Sequence, residues 1–150
     1  MAAERGTAMF TDELWRELSP QECWELLAEE ELGRLAYRLI DEISIVPVNY
    51  GVDRSTLLFR TAEGTKLLAV VLGGEIAFEV DRIVGEEARS VVVRGTARRL
   101  EEDEAHRADR VGLRPWIGTP KYDVVEIAPV AVTGRAFRLS ARPAHRIPTG

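Results

Sequence analysis

Two polar turns constrain this chain more than any other feature. Asp41-Glu42 and Asp53-Arg54-Ser55 separate three runs of strand character: Arg34 to Ile40, Ile43 to Val52, and Thr56 to Arg60. Parallel neighbours need a crossover of a dozen residues or more, so links this short demand antiparallel pairing. Ile76 to Asp81, Ser90 to Leu100 and Tyr122 to Thr133 add three further strands, the last broken at Pro129. Val91-Val92-Val93 forms the centre of the fifth strand, and Gly95 offers a bend within it. Residues 82–88 read as a polar loop. A doubly wound α/β fold needs longer crossover helices than this chain has room for. The expected fold is therefore mainly β with peripheral helices, an antiparallel barrel.

Three short helices complete the reading. Ser19 caps the first, Pro20 occupies its first turn, and Glu22 closes a capping box. Cys23, Leu26 and Leu27 share its apolar face, and Gly33 is its expected end. Cys23 reads as a small buried hydrophobe. The second helix, 65–72, turns Leu67, Val70 and Val71 inward and stops at Gly73-Gly74. The third, Glu101 to Val111, has an acidic start and a basic end that match the helix dipole. It reads as a solvated face with His106 exposed.

Pro47 sits inside the second strand. It lacks the N–H that a ladder needs, so that strand lies at an edge, a bulge, or an opening where something docks.

Composition sets the outer limits. With 150 residues and 45% apolar content, one domain with a real core is expected. It should span residues 14–140, between a flexible leader (1–13) and a flexible tail (141–150). The formal charge of −5 gives no reason to expect nucleic acid or an anionic membrane surface as partner. No apolar run is long enough to cross a bilayer, and Met1 to Met9 lacks the apolar stretch of a signal peptide, so a cytoplasmic protein is expected. Cys23 is the single cysteine, and His106 and His145 lie far apart, so no metal site is expected.

One stretch carries chemistry. Phe59-Arg60-Thr61-Ala62-Glu63-Gly64-Thr65-Lys66 reads as a strand end, a tight turn and a helix start. Gly64 permits the bend and Thr65 caps the helix. Arg60 and Lys66 supply positive charge, and Thr61 and Thr65 supply hydroxyls. A phosphate monoester needs this combination of charge, donors and close backbone approach. The same residues also suit a solvated turn, and the spacing fits neither a Walker loop nor the dinucleotide glycine fingerprint.

Several segments together resemble the pyridoxamine 5′-phosphate oxidase-related flavin-binding proteins. They are Leu18 to Trp24, Gly33 to Tyr37, Val46 to Tyr50, Phe59 to Lys66, Ser90 to Ala97, Leu113 to Trp116 and Val132 to Arg135. In order and spacing they cover about residues 14 to 139. The resemblance implies a split β-barrel that forms a homodimer, with flavin mononucleotide (FMN) at the subunit interface. It implies that Arg60, Thr61, Thr65 and Lys66 hold the flavin phosphate, with Phe59 and Gly64 in the same segment. Val46, Pro47, Val48 and Asn49 would line the isoalloxazine ring. Trp116 would cover the ring or the substrate space, or else plug the dimer interface. Arg89 departs from the pattern, which has an aromatic before Ser90. The implied function is a flavin-dependent oxidoreductase of an unidentified small molecule, such as a nitro compound or quinone, with a nicotinamide cofactor as electron donor. A deazaflavin-dependent reductase, a non-catalytic flavin-binding or sensing module, and a cofactor-free scaffold are the alternatives. No catalytic residue is legible, because the flavin itself carries the redox chemistry.

Overall fold

The computed structural model describes residues 14–62, 68, 71–113 and 122–140. The Ser19 cap forms as the sequence predicts. Its Oγ accepts from the Glu22 N–H at 3.2 Å, and the Glu22 carboxylate accepts from the Ser19 N–H at 3.0 Å. Helix α1 runs Pro20–Glu29 and buries Cys23, Leu26 and Leu27. A short strand, β1 (Trp15–Glu17), precedes it.

The helix ends four residues before Gly33. That glycine lies instead inside β2 (Leu32–Leu39). A Cβ there would stand 2.2 Å from Phe78 Cζ, so Gly33 is small to admit a fully buried aromatic ring and not to stop a helix. The turn into β3 (Glu42–Asp53) is Ile40-Asp41, one residue earlier than predicted, with Ile40 at φ 56°. Arg54-Ser55 then leads into β4 (Thr56–Ala62). Of the expected 65–72 helix, one bond is described: the Leu72 N–H donates to the Leu68 carbonyl at 3.1 Å, beside a buried Val71. Leu67 and Val70 lie outside the described residues.

Strands β5 (Glu75–Val84) and β6 (Glu87–Arg99) form a long hairpin. Most of the predicted 82–88 loop is thus strand, turning only at Gly85-Glu86 with Gly85 at φ 63°. Helix α2 is shorter than predicted, His106–Arg110. β7 (Tyr122–Arg138) runs unbroken past Pro129. There the register slips against β6, with Arg94 facing Ala131 and Gly95 facing Pro129. The expected break and the expected bend are two sides of one β-bulge. A Cβ at Gly95 would lie 2.1 Å from the Ala128 carbonyl oxygen.

All ladders are antiparallel, in the order β1-β7-β4-β3-β2-β5-β6, and β6 pairs back to β7. The sheet closes into the split barrel that the sequence predicts. Its interior is packed by Leu35, Tyr50, Phe59, Phe78, Val93 and Ile127. Tyr50 meets Phe78 edge-on at 4.7 Å, and its hydroxyl donates to the Leu27 carbonyl at 2.6 Å. A second cluster lies outside the barrel, where Leu58 and Val124 meet Leu100, Ala108 and Leu113. Among the described residues no helix is long and apolar enough to cross a membrane.

Candidate functional site

The barrel is split where β3 and β4 separate. Their ladder ends at the pair Tyr50–Phe59. Beyond it, residues 42–49 of β3 pair only with β2, while Arg60, Thr61 and Ala62 pair with β7. Pro47 lies on this open margin of β3, where a missing ladder donor costs nothing.

Side chains alternate across a strand, which sorts the predicted residues into two sets. Val48 and Phe59 are buried in the barrel core, Val46 packs against it, and Thr61 follows the same parity and is 9% exposed. Pro47, Asn49 and Arg60 fall on the outer face. Gly51 and Leu58 mark that face, since Gly51 abuts Val111 and Leu58 belongs to the outer cluster. Gly64, Thr65, Lys66 and Trp116 lie outside the described residues.

Arg60 is the most constrained of the set. Its side chain is only 7% exposed. One terminal nitrogen donates to the Leu113 carbonyl at 2.6 Å and the other to Asp109 Oδ1 at 3.0 Å. The guanidinium carbon lies 4.5 Å from the centre of the Tyr122 ring. Its Nε is buried and meets no hydrogen-bond partner among the described residues. A buried, unsatisfied donor on a cation is a place for an anion.

Helix α2 keeps the solvated face that the sequence predicts, with His106, Asp109 and Arg110 exposed, while ion pairs hold its other side against this region. Arg107 donates to both Asp53 and Glu126, carboxylates only 8% exposed. Arg98 bridges Glu126 at 2.8 Å and Glu104. The guanidinium of Arg107 pulls the Asp53 carboxyl below its ordinary range against the opposing effect of burial. His106 is exposed, as the sequence predicts, with Nδ1 2.9 Å from the Asp103 carbonyl.

Beside Pro47 on the outer face stands Arg34, opposite it across the β2–β3 ladder. Arg34 donates to Glu79 and, at 2.7 Å, to Asp81. Burial raises the Glu79 carboxyl above its usual range, with Arg34 opposing. Ile43 and Ile45 continue this face at 70% and 66% exposure. A cleft of about 750 Å³ beside Ile43 is lined by Ala36, Ala77 and Arg94 among others. A second groove, about 880 Å³, opens on the other side of Arg60, along β7 and α2.

Sequence reading missed Asp109, Leu113 and Tyr122, the three partners of Arg60. Leu113 opens one of the segments that carry the family resemblance and Tyr122 begins a predicted strand, but neither signal pointed to Arg60.

The pyridoxamine 5′-phosphate oxidase family pattern matches residues 19–136, and the chain belongs to that family. A Corynebacterium glutamicum structure of the pyridoxamine 5′-phosphate oxidase type is 42% identical, with a TM-score of 0.79 over 88% of this chain and 99% of that one. An FAD-binding protein from Mycobacterium smegmatis is 41% identical, with a TM-score of 0.76 over 83% of this chain and 99% of that one. An uncharacterized Mycobacterium tuberculosis protein is 42% identical over 61% of this chain and 84% of its own length.

Proposed function

We propose that this chain binds a flavin nucleotide and serves as an oxidoreductase for a small molecule. The observation that carries the reading is Arg60. It is a buried arginine with an unsatisfied Nε, on the same outer face as Pro47 and Asn49, in a chain 41% identical to an FAD-binding protein. The residues fit the group: Arg60 would hold a flavin phosphate, and the open margin of β3 would flank the ring. Asp109 already engages one Arg60 nitrogen, so an arriving phosphate competes with that carboxylate. Lys66 and Thr65 would add charge and a donor. The flavin supplies hydride and electron transfer when bound, while the protein supplies position and electrostatics.

FMN and flavin adenine dinucleotide (FAD) share the half that Arg60 would recognise. A homodimer is part of the proposal, supported by Ile43 and Ile45, two exposed apolar residues on the outer face of β3. The visible absorption spectrum tests the reading, taken after incubation with FMN or FAD and desalting. Retained flavin bands at about one per chain, bleached by a nicotinamide cofactor, are expected. A bare spectrum after both incubations would overturn flavin binding and leave the deazaflavin or cofactor-free alternatives.

A further inference from the structure

No edge of the Arg60 guanidinium is open to an anion in this structure. A phosphate grips a guanidinium through two neighbouring nitrogens. One terminal nitrogen is engaged by the Leu113 carbonyl and the other by Asp109. The third nitrogen, Nε, is buried, and the Tyr122 ring lies against the guanidinium carbon.

Both groups that engage the terminal nitrogens come from one short stretch. Asp109 belongs to α2, and Leu113 follows the helix directly after Gly112 at φ 66°. The stretch is thinly built. Helix α2 has five residues, and its N-cap Ala105 makes no side-chain cap bond. Its apolar anchorage is Ala108 and Leu113 in the small outer cluster. What fastens it is charge: Arg107 pairs with Asp53 and Glu126, and Arg110 with Asp53. An element with few buried apolar residues and a solvated face opens locally at less cost than the barrel does.

We propose that α2 is a latch over Arg60. An anion binds the guanidinium only after α2 swings off the barrel, carrying Asp109 and Leu113 with it, and α2 stays displaced while the anion is bound. The inference rests on the flavin reading above and adds the regulation of that site. Binding then draws on the open fraction alone, so the apparent affinity is the intrinsic one reduced by that fraction. The ion pairs of Arg107 thereby set how readily the site accepts a flavin phosphate.

A disulfide that pins α2 tests this on the full chain. A Cβ at Gly51 of β3 would lie 3.1 Å from the Val111 Cβ, slightly inside the disulfide range of about 3.5–4.5 Å. The Gly51→Cys, Val111→Cys double variant should therefore cross-link when oxidised and release with dithiothreitol, and Cys23 is buried away from the exchange. The reduced variant should bind FMN at least about tenfold tighter than the oxidised one, with riboflavin within about twofold between the two states. Hydrogen exchange of the wild type is a second readout, independent of any substitution. Saturating FMN should speed exchange of the Val111 and Gly112 amides, which donate to the Arg107 and Asp109 carbonyls, by at least about threefold. Equal FMN affinity in the two redox states overturns the inference, as does an equal loss of riboflavin, or exchange at those amides that FMN slows or leaves unchanged. A wild type that binds no flavin overturns the flavin reading itself.

Discussion

Arg60 and Thr61 are adjacent in sequence and face opposite sides of β4. Thr61 follows Leu57 and Phe59 toward the barrel interior, whereas Arg60 follows Leu58 outward and reaches Leu113 and Asp109 across the second cluster. The outer face therefore holds Arg60 with Pro47 and Asn49. The pairing of Arg60 with Asp109 yields the first prediction.

Asp109 is 78% exposed and contributes little to stability, but its carboxylate occupies the guanidinium that a flavin phosphate would use. An ion pair whose carboxylate is this exposed is worth about 0.2–1 kcal/mol. Asp109→Asn should therefore tighten FMN binding by about two- to fivefold. Riboflavin, which lacks the phosphate, should be unaffected. Isothermal titration with both ligands checks this.

Arg107 holds two nearly buried carboxylates, Asp53 and Glu126, and ties α2 to the barrel. Its removal leaves both anions without their shared cation. Arg107→Ala should cost about 3 kcal/mol in urea unfolding, as for a broken buried pair. Arg110 is 53% exposed and only 3.4 Å from Asp53, so Arg110→Ala should cost less than about 1 kcal/mol. Equal losses would mean that the network does not hold α2.

Gly95 and Gly74 make a clean contrast. A Cβ at Gly95 meets the Ala128 carbonyl at 2.1 Å, where only backbone movement helps, and a Cβ at Gly74 meets nothing within 4 Å. Gly95→Ala should cost about 3 kcal/mol, the upper end for overpacking. Gly74→Ala should stay within about 0.5 kcal/mol. Melting temperatures of the two variants decide it.

Much of the fold was legible because its determinants are local. Ser19-Pro20-Gln21-Glu22 specify their helix start within four residues, and Pro47 marks an edge, a bulge or an opening whatever lies around it, of which the structure shows the open margin. Gly33 was misread because its reason is tertiary: Phe78, 45 residues away, needs the space. Gly95 and Pro129 each signalled an irregularity, but that they form one bulge depends on long-range register. The direction of Arg60 was hidden for a different reason. Leu57, Leu58 and Phe59 are all buried, because the second cluster covers the far side of β4. With apolar residues on both faces, the alternation that reveals parity disappears.

Acid should loosen the N-terminal helix cap. Arg16 donates two hydrogen bonds to the Glu22 carboxylate, which with the Ser19 N–H holds its pKa down to about 2 against an ordinary 4.5. A carboxylate with a depressed folded pKa contributes stability that is present above its unfolded pKa and lost as pH falls toward the folded one. Glu22 should thus contribute fully above about pH 4.5 and progressively less down to about pH 2. Glu22→Gln should lower the melting temperature at pH 7, and the gap from wild type should narrow over that window. A constant gap would assign the loss to something other than the charge.

The central claim is that the outer end of β4 anchors a flavin phosphate. Its most direct test is the titration of wild type and the Arg60→Ala, Lys66→Ala double variant with FMN and with riboflavin. The account predicts that the variant loses about a hundredfold in FMN affinity, two charge-assisted contacts at roughly 1.5 kcal/mol each, while riboflavin affinity barely changes. Equal losses for both ligands, in a variant whose circular dichroism matches the wild type, would contradict it.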